Sequence, residues 1–92
     1  MSILSQSSGG SGIQNWTQHR MPTGNWLDVA YGNGAFVAVN QSYNTSATST
    51  DNGVTWTQHS MPTGNWRGIA YGNGAFVAVS SSSSNMSATS TY

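Results

Sequence analysis

The chain repeats itself almost word for word. Residues 16–39 realign on residues 56–79 at an offset of 40, and only Arg20/Ser60, Leu27/Arg67, Asp28/Gly68 and Val29/Ile69 differ. Beyond that block "NQSYNT" faces the longer "SSSSSNM", and the copies rejoin at "SATST". A period of about 40 residues suits propeller blades or helical arrays.

Local periodicity decides for strands. Gly, Pro and Asn interrupt the repeat too often for helices of ordinary length. "WLDVAY" and "AFVAV" are short aromatic and β-branched runs joined by Asn33-Gly34, a strong tight-hairpin signal. "TSATST" reads as a third strand with one polar face, and "VTWTQH" as a fourth. Each repeat therefore predicts four strands, a to d, at roughly 26–31, 35–40, 45–50 and 54–59. The a and b strands carry the most continuous apolar character, which predicts cover on both faces. Trp16 and Trp56 are expected in the core.

The c–d turn carries a resemblance. "STDNGVTW" fits S-x-D-x-G-x-T-W at Ser49, Asp51, Gly53, Thr55 and Trp56. The sequence thus resembles the Asp-box repeats of sialidase-type and other β-propellers. The repeats also look like those of phage tail-associated propellers and small oligomeric propeller lectins. The resemblance implies an all-β fold of two four-stranded blades, with the box at an outer hairpin away from the ligand face. Asp51 is then a turn lock, since a carboxylate can accept backbone N–H bonds inside a tight turn.

The order of strands along the chain is d, a-b-c-d, a-b-c. Residues 1–11 read as a leader and 12–92 as a two-blade unit. Residues 12–20 would be an outer strand, 26–59 the first blade, and 66–92 a second blade without its outer strand. The expectation is strand exchange: residues 12–20 of one copy complete the second blade of a neighbour. Such head-to-tail contacts close into rings, and a trimer of six blades is the favoured size.

Composition narrows the function. There is no cysteine, and histidine occurs only at His19 and His59; this predicts no disulfide, no metal site and no cofactor. Zero formal charge without lysine argues against duplex nucleic acid and against a basic membrane-surface helix. No run is long and apolar enough to span a bilayer as a helix. The opening residues lack the features of a secretory signal. Localisation stays unassigned, with a virion or release by lysis both compatible.

Sialidase-type sites, by family pattern, use an arginine cluster and a tyrosine nucleophile assisted by glutamate. Here glutamate is absent, and Arg20 and Arg67 occupy non-equivalent repeat positions. Glycoside hydrolysis usually takes two carboxyls flanking the bond, so no enzyme activity is expected. The d–a and b–c loops instead offer aromatic rings, amides and hydroxyls with little charge, which suits sugars. The candidate ligand contacts are Trp26, Trp66, His19, His59, Arg20, Arg67, Asn25, Asn65 and Tyr43. A packing role competes for both tryptophans. The expected function is a non-enzymatic, lectin-like oligomer with shallow sites between blades. The alternatives are a phage tail or surface adhesion component, and an engineered propeller fragment without a selected ligand.

Overall fold

The computed structural model describes residues 14–81 and 85–92. All regular structure among them is β. The seven strands are β1 (Trp26–Gly32), β2 (Ala35–Asn40), β3 (Thr45–Ser49), β4 (Thr57–Ser60), β5 (Trp66–Gly72), β6 (Ala75–Ser80) and β7 (Ser87–Ser90). They form two antiparallel meanders, one of four strands ordered β1-β2-β3-β4 and one of three ordered β5-β6-β7.

The hairpins follow from their turn residues. Asn33 and Gly34 take φ of 50° and 79°, and Asn73 and Gly74 take 51° and 82°. Two consecutive positive φ values match the right-handed twist of the flanking strands. In both sheets the register slips at the second residue of the first strand, Leu27 or Arg67, giving a bulge. Tyr31 pairs with Phe36 and Tyr71 with Phe76, with ring centroids 4.7 Å apart in each case. The sheets repeat the same plan down to their side-chain pairs.

The third connection in the first sheet is fastened by side chains. Asp51 Oδ1 accepts from Ser49 Oγ (2.8 Å) and from the Thr55 amide (2.9 Å), and Oδ2 accepts from Thr55 Oγ1 (2.6 Å). Ser49 Oγ accepts from the Gly53 amide (2.8 Å), and Trp56 Nε1 donates to the Gly53 carbonyl (3.0 Å). This network takes up residues 54–56, so the fourth strand starts at Thr57 rather than at 54. The third strand ends at Ser49, one residue short of its expected limit.

At the opposite end, asparagines do the fastening. Asn40 is fully buried. Its Oδ1 accepts from the amides of Asn25 (3.0 Å) and Ser42 (2.9 Å), and its Nδ2 donates to Thr45 Oγ1 (3.1 Å). Ser80 stands at the equivalent place in the second sheet and accepts from the Asn65 amide (3.2 Å). Asn44 adopts a φ of 54°; its carbonyl accepts from the Met61 amide (2.8 Å) and its Oδ1 from the Gly64 amide (3.0 Å). These bonds place residues 21–25, 41–44 and 61–65 at one end of the sheets, opposite the Asn-Gly turns.

The core lies between the sheets. Val39 of β2 packs with Trp66 of β5 and Ala78 of β6, with Met61, Ile69 and Ala88 against them. Tyr71 lies over Gly32 so closely that a β-carbon there would overlap its ring. Asp28 Oδ2, on β1, accepts from the Ile69 amide of β5 (3.0 Å), and its Oδ1 accepts from the Val29 amide (2.9 Å).

Several expectations need correction. Within one chain residues 14–20 form no strand and Trp16 is 86% exposed; the pairing expected for this segment is with a neighbouring copy. A d-type segment gains its ladder only beside a third strand, and none of the described strands lies beside it. Positions 12 and 13 of that expected strand, and the leader 1–11, lie outside the described residues. Cover on both faces holds for β2, but β1 leaves Leu27, Val29 and Tyr31 exposed.

Asn40→Leu should lower stability by about 1–3 kcal/mol in urea titrations, because it strands two amides and a hydroxyl. The Asp51 network holds that carboxyl at about 2, below its ordinary 3.8, chiefly through the Thr55 hydroxyl, then the Thr55 amide and Ser49. A lowered value means the turn contributes fully above about pH 4 and loses its contribution as pH falls towards 2. Asp51→Asn should cost several degrees of thermal midpoint near neutral pH, with the gap to wild type closing across that acid window.

Candidate functional site

The sheets leave a cleft of about 540 Å³ between their outer parts. Its first wall is the face of β2, β3 and β4 that points to the second sheet. Strand alternation puts Val37 and Val39 on that face, with Ser46 and Thr48 beside them. β4 brings His59 opposite Ser46, and His59 Nε2 is hydrogen-bonded with Thr48 Oγ1 at 3.0 Å. The second wall is made by Ile69, Phe76 and Ala78, with β7 contributing Ser87 to Ser90. Met61 and Pro62 reach in from the loop between the sheets. The cleft therefore joins an apolar floor to a rim of hydroxyls and one imidazole. Its size is in the range of small-molecule sites.

A second cleft, about 470 Å³, lies on the far face of the first sheet. It is lined by Met21, Trp26, Val29, Phe36 and Ala38, with Asn52, Gly53 and Trp56 at one side. Met21, Val29, Phe36 and Ala38 are the repeat equivalents of Met61, Ile69, Phe76 and Ala78. The second cleft thus shows one wall of the first, without the valine-bearing wall that faces it there.

The candidate contacts fall into three places. His59 lines the first cleft. Asn25 and Tyr43 lie exposed at the loop end, where Asn25 Nδ2 donates to Gln41 Oε1 (3.0 Å) and the Asn25 carbonyl accepts from Gln41 (3.1 Å). Asn65 is half-buried there, its carbonyl accepting from the Ser81 amide (2.9 Å). His19 and Arg20 are exposed on the segment without secondary structure, and Arg67 is exposed on β5. No single pocket gathers them.

The two tryptophans part company. Trp66 is fully buried between the sheets, and its indole donates to the Pro62 carbonyl (2.9 Å). It has no surface left for a ligand, so its role is packing. Trp26 makes the same bond to Pro22 (2.9 Å) but is only half-buried, on the wall of the second cleft. Identical sequence gives different exposure because only Trp66 has a sheet packed in front of it. The sequence reading missed Ser46 and Thr48. Their signal was the alternation in "TSATST", which sets Ser46 and Thr48 on one face and so points them to one wall.

Both aspartates serve backbone amides: Asp28 across the sheets and Asp51 inside its turn. Among the described residues no three His, Asp or Glu side chains come together as a metal site. No helix of the described chain is long and apolar enough to cross a membrane. No protein-family model matches the chain, and neither a curated protein nor a solved structure does.

Trp66→Ala should cost about 3–5 kcal/mol in denaturant unfolding, as expected for emptying a core site. Trp26→Ala should cost clearly less in a monomeric chain, and the comparison of the two midpoints checks the packing assignment.

Proposed function

We propose that the chain is a non-enzymatic propeller unit whose copies close into a ring, with six blades in a trimer, and which binds carbohydrate in the clefts between blades. The observation that supports this most is the first cleft. Hydroxyls of Ser46 and Thr48 and the His59 imidazole border apolar ground formed by Val39, Ile69 and Phe76, with Ser90 beside Phe76 on the opposite wall. Sugars present that same combination, hydroxyls at their edges and C–H groups on their faces. Both carboxylates being engaged with backbone amides supports binding rather than hydrolysis. Shallow sites repeated around a ring gain from avidity.

The exposed apolar face of β1 favours a second reading, in which the ring is a structural or adhesion component and the clefts carry no ligand. A glycan array separates the two. Binding of a defined glycan class, weakened roughly tenfold by His59→Ala, supports the lectin-like reading. An array without hits, on protein shown to be folded and assembled, overturns it in favour of the structural one.

A further inference from the structure

The junction between the two sheets is a worked example of how one copy of the repeat docks on another. On the first sheet it uses Val37, Val39 and the open backbone at Gly32. On the second it uses Trp66, Ile69, Tyr71, Phe76 and Ala78. Each set has its repeat equivalent elsewhere on the chain, and both equivalents lie open. Val37 and Val39 are 7% and 0% exposed, whereas Val77 and Val79 are 40% and 51% exposed. Trp66 and Phe76 are buried, whereas Trp26 and Phe36 are half-buried and Val29 and Tyr31 are 49% and 57% exposed. Gly32 is filled by the Tyr71 ring, whereas a β-carbon at Gly72 meets nothing within 4 Å.

We infer that a second copy of this chain docks head to tail, with its Tyr31 seated over Gly72 and its Val29 and Phe36 against Val77 and Val79. The two open faces are halves of an interface that the chain already makes once. They fit each other because 20 of the 24 positions from 16 to 39 repeat at 56 to 79. The docked copy would also bring its residues 16–20 to the outer edge of β7, which no described strand pairs. The β3–β4 ladder sets Thr45, Ser46, Ala47 and Thr48 against Ser60, His59, Gln58 and Thr57. Carried over by repeat equivalence, Met86, Ser87, Ala88 and Thr89 face the partner's Arg20, His19, Gln18 and Thr17. Asn85 already holds a φ of 56°, close to the 54° of Asn44, which receives Met61 and Gly64. It is therefore set to receive the equivalent amides of a partner's Met21 and Gly24. The second cleft then gains its missing wall, and His19 and Arg20 come to line it beside Ser87 and Thr89 of the neighbour.

This deepens the ring reading above and rests on it, but it does not depend on any glycan. The test uses native mass spectrometry on the 92-residue chain and two variants. Wild type should give two or more times the mass of the 9.7 kDa chain, in whole multiples. Gly72→Val fills the seat at a position where a β-carbon meets nothing inside the chain within 4 Å, and Tyr31→Asp charges the docking ring. Each variant alone should be monomeric. Mixed together they should stop at a one-to-one heterodimer, because only one sound seat and one sound ring remain between them. Hydrogen exchange should protect the amides of residues 16–20 in wild type and release them in either variant. A monomeric wild type, variants that assemble like wild type, or a mixture that stays monomeric would overturn the inference. Circular dichroism checks that the variants are folded; if one is not, wild-type mass and amide protection decide alone. Assembly as described without glycan binding would remove the lectin reading and leave this one standing.

Discussion

Everything in this fold depends on one sheet covering another. Each meander has too few strands and too little side-chain bulk to make a core of its own, and small domains bury a low fraction of their surface. The buried cluster of Val39, Trp66 and Ala78 exists only where the two sheets meet. Close approach is possible because Gly32 has no side chain and Tyr71 takes the space. Nothing else in the described chain has comparable depth. The clefts are the parts of this contact that spread outwards and stay unfilled.

The rest of the fold is held by short polar side chains rather than by bulk. Asp51 and Ser49 close the c–d turn, Asn40 and Asn44 close the loops at the other end, and Asp28 joins the sheets. Amides left without partners inside a fold are costly, and Asn40 and Asn44 remove that cost at the loop end without adding charge. Hence a chain with four charged residues can still specify its loops. The Asn-Gly turns belong to the same economy, since asparagine tolerates positive φ better than most residues.

Much of this was legible before any coordinates. The first two strands, the Asn33-Gly34 hairpin and the Asp51 turn followed from local patterning and turn chemistry, which read directly from residues, whereas the start of the fourth strand did not. What stayed hidden was tertiary. Trp26 and Trp66 sit in identical sequence, and only the placement of a second sheet buries one and not the other. Residues 17–20 carry the sequence of β4 except for Arg20 in place of Ser60, yet form no strand within one chain, because a strand is made by its neighbour and not by propensity alone. The role of Asn44 was also missed: its bonds reach 17 and 20 residues along the chain, to Met61 and Gly64, and no short-range pattern signals them. Among the candidate contacts, His59 alone could be placed on the first cleft, through strand alternation and the β3–β4 register.

Asp28 has a mechanical meaning beyond its hydrogen bonds. Apolar packing is non-directional and tolerates sliding of one sheet over the next, whereas a carboxylate gripping the Ile69 amide fixes the offset between them. The repeat puts Gly68 where a second such clamp would sit. A circle of these chains would therefore alternate stiff and compliant joints. In the ring proposed above, sliding would be resisted at the joint within each chain and left to apolar packing at the joint between chains.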